Sequence, residues 1–287
     1  MPEPVACVFC QRVDEQPLTR EHVYPRHWQQ YFPAAKGPDR VWQSGISGYV
    51  EHRGANHQFD NQVRDVCGTC NSGWMESLDM EAKEIVVAIG QGRQVSLTAE
   101  EATLFRSWAT KIALVRTLQD RNQSAQASLE RFHKFYDDRL PFSPLAVQAG
   151  YCQLGSSSDG NDSWTMPGDS ASIANVVSGG VGHLFFQVAV YDPDDDVHAP
   201  LIRRELAAVR TLTRGKVQLV REGLAWEPPA QLSFTEVTMA RAPHALIGAA
   251  PAIENGLRRI PHSKMPGSSF GNPYQTPNIN HMPWERF

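Results

Sequence analysis

Apolar residues return at helical spacing in two stretches of the chain. Trp74, Leu78, Ala82, Ile85 and Ile89 mark one face of a helix beginning near Gly73, with Glu76 and Asp79 close to its start. Asn71 and Ser72 stand where the cap of that helix is expected. Leu104, Phe105, Trp108, Ile112, Val115 and Leu118 form the stripe of a second helix, from about Ala99 to Leu118. Lys111 lies at the edge of this stripe. A lysine there snorkels to solvent or, if aimed at a cleft, neutralises phosphate.

Elsewhere the pattern alternates or breaks. Leu18-Thr19-Arg20-Glu21-His22-Val23-Tyr24-Pro25 suits a short strand stopped by proline, and 61–67 suits a second strand. Trp28, Tyr31 and Phe32 suit a short helix packed on these strands. Residues 33–56 are rich in Gly, Pro and polar side chains and are expected to be loops with one weak strand; His52 and His57 are surface histidines at its end. Past residue 128 a turn is expected over 129–146, and strands over 147–155, 183–191, 206–213, 216–221 and 232–238. Residues 155–162 suit a loop. Asp192-Pro193-Asp194-Asp195-Asp196 lacks the spacing and closing Glu of a calcium loop and is an exposed acidic turn. Gly179-Gly180-Val181-Gly182 lacks the setting of a nucleotide loop. The tail 261–287 is expected to be extended or disordered. The class is α+β, with a mainly antiparallel sheet in the C-terminal part. The expected divisions are 1–90, a helical connector 91–128, an α+β domain 129–260, and the tail.

Charge narrows the partners. Residues 1–80 carry seven Lys/Arg against ten Asp/Glu, 81–196 nine against fifteen, and 197–287 eleven against six. Nucleic-acid affinity comes largely from basic side chains on phosphates. A tight, autonomous DNA-binding function therefore has no electrostatic support in the first third and mild support in the last. No stretch approaches the roughly 20 apolar residues that span a bilayer, and Met1-Pro2-Glu3-Pro4 does not start a secretory signal. The expected compartment is the cytoplasm.

Cysteine usage changes the picture. Four of the five cysteines form two Cys-x-x-Cys pairs, Cys7 with Cys10 and Cys67 with Cys70; Cys152 stands apart. Four thiolates make the closed tetrahedral shell of structural zinc. Zinc would bring the strand carrying Glu21 and His22 near the helix start at Asn71. Glu21 and Asn71 are hard oxygen ligands suited to Mg²⁺ or a similar ion. His22 can take a proton from water at neutral pH, and the helix N-terminus offers a field favourable to phosphate. Converging on one cleft, these groups would make a one-metal phosphodiesterase. The plainer alternative has Asn71 only capping its helix, with Glu21 and His22 hydrogen-bonded within the hairpin.

Cys7-x-x-Cys10, Glu21-His22-Val23-x-Pro25, Asn61 and Cys67-x-x-Cys70-Asn71 resemble the HNH endonuclease family in its zinc-containing ββα-metal form, over residues 5–85. The resemblance implies Glu21 and Asn71 as ligands of the catalytic divalent ion and His22 as general base. Asn61 would be the middle asparagine that holds the base or its loop. Gly73-Trp74-Met75 stands where the family often carries a Lys or His, and the Gly-Gly segment before the middle Asn is replaced by Arg53-Gly54-Ala55-Asn56. The implied partner is nucleic acid, DNA first, with a protein partner possible through the C-terminal domain. Two other readings stay open: a zinc-stapled binding or scaffold protein without catalysis, and a partner-dependent nuclease of a toxin or defence system.

Overall fold

The computed structural model describes residues 5–13, 18–32, 39–44, 50–56, 58–119, 126–143, 146–152, 160–165, 174–196, 198–221, 223–226, 232 and 258–260. Strand β1 (Thr19–His22) is followed by a 3-10 turn at Arg26–Tyr31 and by β2 (Asp39–Ser44) and β3 (Val50–Asn56). A short turn leads into β4 (Gln62–Val66), which pairs antiparallel with β1 and places Glu21 opposite Val63 and His22 opposite Gln62. Then come a single helical turn, α1 (Gly68–Cys70), a π-helical segment over Asn71–Met75, and α2 (Glu76–Gly90). After the two-residue strand β5 (Val95–Ser96) runs the long helix α3 (Ala99–Thr117), opened by a capping box between Thr98 and Glu101. Helix α4 (Leu129–Asp138) follows.

The second half is built on a six-stranded antiparallel sheet. It comprises β6 (Val147–Tyr151), β7 (Gly160–Thr165), β8 (Ala174–Val181), β9 (Leu184–Tyr191), β10 (Gln218–Leu219) and β12 (Arg258–Ile260), in the order β10-β6-β9-β8-β7-β12. Helix α5 (His198–Leu212) follows β9, and β11 (Ala225–Trp226) pairs back with β5. The α+β class and antiparallel sheet match the expectation, and α3 falls at the predicted place.

Other expectations are corrected. Residues 129–138 form α4 rather than a turn, because Phe132 and Phe135 bury a short helical face. Residues 206–213 belong largely to α5, not to a strand: Ile202, Leu206 and Val209 recur at helical spacing and are buried. Strand β8 was not expected; its Gly-rich end conceals the strand pattern. Part of the expected loop 155–162 starts β7, and 39–56 holds two paired strands rather than one. His57, the tail 261–287 and all of 232–238 beyond Leu232 lie outside the described residues, as does the side-chain setting of His52.

A continuous buried cluster runs from Cys7 and Phe9 through α2 and α3 to Val188, Val190 and Leu224 on the sheet side. The zinc-type segment therefore shares its core with the second half. Helix α3 lies between α2 and the sheet and is buried at every position from Ser107 to Thr117. A helix enclosed on all sides has no solvent face to which a long side chain can escape. Trp28 stacks on Trp108 at 5.7 Å, and Trp108 meets Phe186 of β9 edge-on at 5.5 Å. The buried Tyr24 hydroxyl accepts a hydrogen bond from the Gly180 amide of β8 at 3.1 Å.

The β8–β9 turn docks on the end of α2 at Gly182. Its φ is +59°, and a Cβ there would fall 2.2 Å from the Gly90 carbonyl oxygen. Gly215 also has positive φ, +76°, but open space around it. Gly182→Ala is expected to cost about 3 kcal/mol or more, from clash and left-handed strain together, and Gly215→Ala about 1–2 kcal/mol from strain alone. Urea unfolding of the two variants checks the difference.

Candidate functional site

The knuckle begins with a tight turn. Cys7 N–H donates to Arg12 carbonyl at 3.1 Å, Gln11 N–H donates to Cys7 carbonyl at 3.0 Å, and Gln11 sits at φ +59°. Val8 N–H donates to Asp65 carbonyl at 3.0 Å, which ties this turn to β4. β4 then delivers Cys67 and Cys70. The four sulfur atoms all lie within 4.8 Å of one another, with Cys10 and Cys67 Sγ 3.6 Å apart. Tetrahedral zinc with bonds of about 2.3 Å separates its sulfurs by about 3.8 Å, so the spacing suits the ion.

The surroundings suit it as well. Cys67 N–H donates to Cys7 Sγ at 3.3 Å and Cys70 N–H to Cys67 Sγ at 3.5 Å. These are donors that thiolates accept. The buried Trp74 indole N–H has no hydrogen-bond partner among the described residues, yet it lies close enough to Cys70 to favour its thiolate. The neighbouring Cys70 thiol pulls the Cys7 thiol down to about 4, against the opposing effect of burial. Cys70 is pushed up in return, first by its bond to Cys7 and then by burial. Such crowding of thiols is relieved when a cation takes all four sulfurs. The cluster can thus hold a structural metal ion such as zinc.

The knuckle is braced from outside by aromatic side chains. Phe9 meets Trp74 at 5.3 Å and Phe132 at 5.1 Å, both edge-on, and the Arg139 guanidinium lies 4.1 Å from the ring centres of Trp74 and Tyr136. Helix α4 therefore clamps the zinc-type turn through contacts that the cysteine spacing does not reveal.

Asn71 does not cap α2 through its side chain. The Cys67 sulfur caps the single turn that begins at Gly68, Asn71 closes that turn with φ −61° and ψ −60°, and a break at Gly73 (φ −103°, ψ −111°) separates it from α2. Its side chain instead grips β1: Nδ2 donates to Thr19 Oγ1 at 3.0 Å and to the Arg20 carbonyl at 3.1 Å. Thr19 Oγ1 in turn donates to Val66 carbonyl at 3.0 Å. Asn71 Oδ1 has no partner among the described residues. The Cys70 N–H of the single turn before Asn71 points at the Cys67 sulfur.

His22 is partly buried. Its Nε2 lies 2.7 Å from the Gln62 amide, which can donate to it or, turned over, accept from it. Burial, with lesser help from Arg26 and Lys111, lowers the imidazole below its ordinary 6.5 while Asp60 opposes the shift. The ring is neutral at pH 7. Asn61 works through its main chain: its carbonyl accepts from Val23 N–H at 2.9 Å, one residue beyond His22.

Glu21 takes the opposite face of β1 from His22, as strand alternation requires. Its side chain is 7% exposed, and Oε1 lies 3.2 Å from Lys111 Nζ. Lys111 does not snorkel. It is fully buried, and both Asp79 oxygens accept from it, at 2.8 and 3.0 Å. Burial raises both carboxylates, each despite the attraction of Lys111. Burial also works against the ammonium charge, but the two carboxylates outweigh it and hold Lys111 protonated. The structure thus brings Asn71 to β1 beside Glu21 and His22. It does not turn the Glu21 carboxylate toward the His22 ring. Lys111 and Asp79 carry no motif; the sequence signal was a charged residue on each of two apolar helical stripes.

Among the described residues, the four thiols are the one group of three or more His, Cys, Asp or Glu gathered for a metal. No family model, curated protein or solved structure matches the chain. No helix among the described residues is long and apolar enough to cross a membrane.

The purified chain is expected to release about one zinc per molecule on treatment with a thiol reagent. Cys67→Ser should lose most of that zinc and several kcal/mol of stability. A colorimetric zinc-release assay and thermal unfolding check both.

Proposed function

We propose that the chain is a metal-dependent endonuclease that hydrolyses phosphodiester bonds of nucleic acid, DNA first, in the manner of the HNH enzymes it resembles. One observation carries the reading. The Asn71 amide grips the Arg20 carbonyl, one residue from Glu21 and two from His22, and its own oxygen has no partner among the described residues. Strand, cysteine pair and following asparagine thus meet at the corner where the resemblance places a catalytic ion.

In this reading Glu21 and Asn71 hold a Mg²⁺ or similar ion. Bound there, such an ion polarises the scissile phosphate and stabilises the leaving oxygen. His22 takes a proton from the attacking water at Nδ1, with Gln62 turned to accept from Nε2–H. Asn61 fixes the strand end through its carbonyl. The exposed Arg203 and Arg204 of α5, with Arg214 and Arg221 beyond it, offer positive charge for a phosphate backbone.

A second reading, a zinc-stapled binding or scaffold module without catalysis, is favoured by the Glu21 carboxylate, which lies on Lys111 in the core.

Nicking of plasmid DNA with Mg²⁺ or Mn²⁺, and its loss in EDTA, tests the first reading. His22→Ala should lower cleavage by at least about 10²-fold while zinc content and thermal unfolding stay as in the wild type. A folded protein that cleaves no nucleic acid under these conditions would leave the scaffold reading standing. The base must be neutral to accept a proton, and burial lowers the His22 pKa from 6.5. The acid limb of the kcat/KM profile should therefore fall below pH 6.5.

A further inference from the structure

The Glu21–Lys111–Asp79 cluster contains two carboxylates and one ammonium, all essentially out of solvent. Its bonds are unequal. Asp79 takes Lys111 with both oxygens, at 2.8 and 3.0 Å, while Glu21 meets it through one oxygen at 3.2 Å. Asp79 alone can neutralise the ammonium. Glu21 is thus the looser of the two carboxylates held by Lys111.

The three residues come from three separate elements, β1, α2 and α3. Lys111 lies on the helix enclosed between α2 and the sheet, outside the stretch that resembles a nuclease. Its ammonium cannot leave the core and cannot touch a substrate phosphate. Among the described residues it touches the candidate site through Glu21, and its charge is also felt at His22.

Resting on the reading above, we infer that Lys111, held in place by Asp79, is a positioning residue for Glu21: it pins one carboxylate oxygen and so orients the group that would hold the catalytic ion with Asn71. Groups that orient a metal ligand usually change metal affinity about 10–100-fold when removed. A salt bridge serving only to join α3 to β1 would change stability and leave affinity alone.

The test uses Mn²⁺ on the full chain with its zinc content verified, titrated by the loss of the free-ion EPR signal at a temperature well below unfolding. Asp79→Asn loosens the anchor that fixes Lys111, so that the ammonium no longer sets the place of the Glu21 oxygen, and is expected to weaken Mn²⁺ binding about 10–100-fold. The double variant Asp79→Asn with Lys111→Met removes the pinning pair together and leaves Glu21 the one charged member of the cluster. It guards against a single variant that fails to fold, and the same weakening is expected. Unchanged or tighter Mn²⁺ binding in folded variants overturns the inference. If the wild type binds Mn²⁺ and His22→Ala loses cleavage while these variants bind normally, the positioning role alone fails. A wild type that binds no Mn²⁺ and cleaves nothing overturns the proposed function and this role with it.

Discussion

Four sulfur atoms drawn within 4.8 Å set the position of everything around the candidate site. The first pair sits on a turn closed by its own backbone bonds, and the second pair begins a helix. Between them the described residues form short strands and turns, packed through Val23, Tyr24, Trp28 and Phe59 onto the common core. The sulfurs suit a cation, because four crowded thiols either repel as thiolates or compete for protons. The opposing directions of Cys7 and Cys70 express that competition. Zinc would resolve it and would also hold β1 against the strand that enters the second pair. Asn71 follows the last sulfur directly, so its grip on β1 is as firm as the cluster itself.

The second constraint is the enclosure of α3. A helix with sheet on one side and α2 on the other can bury a lysine only by giving it carboxylates. Asp79 and Glu21 answer that need from two different elements. One ammonium thereby ties the second half of the molecule to the strand that carries Glu21 and His22. The stacked Trp28 and Trp108, continued by Phe186, make the same connection through apolar contact. The first eighty residues are thus not an appendage: Tyr24 and Trp28 join them to the sheet of the C-terminal half through Gly180, Trp108 and Phe186.

What was legible in the sequence follows from range. The cysteine pairs state their chemistry locally, and helix α3 announces itself by its stripe. Asn71 was misplaced as a cap because the Cys67 sulfur starts a separate turn ahead of it, with a break at Gly73 before α2, and a sulfur cap is not a pattern that residue preferences reveal. Helix α4 was hidden because its short apolar face is completed by Phe9 and Trp74 from elsewhere. Lys111 was misjudged for the same reason. A lysine at the edge of a stripe snorkels when the far side is water, and the sequence does not say that the far side is another layer of protein. Strand β8 was missed because its glycines accommodate Tyr24 and Phe186, whose positions are set by the tertiary fold.

The remaining tension lies in the alternation of β1. Glu21 faces inward and His22 outward, and no rotation of either side chain puts both on one face of a strand. They can meet only around its edge or its end. Among the described residues β1 has β4 as its sole sheet neighbour, and no described strand pairs with its other edge. Asn71 reaches β1 at the Arg20 carbonyl, between a carboxylate that approaches from the core and an imidazole that approaches from the outer side. An ion at that place would draw Glu21 from within and lie near water activated from without. The inward turn of Glu21 is then compatible with catalysis, provided that the ammonium behind it holds one oxygen and yields the other.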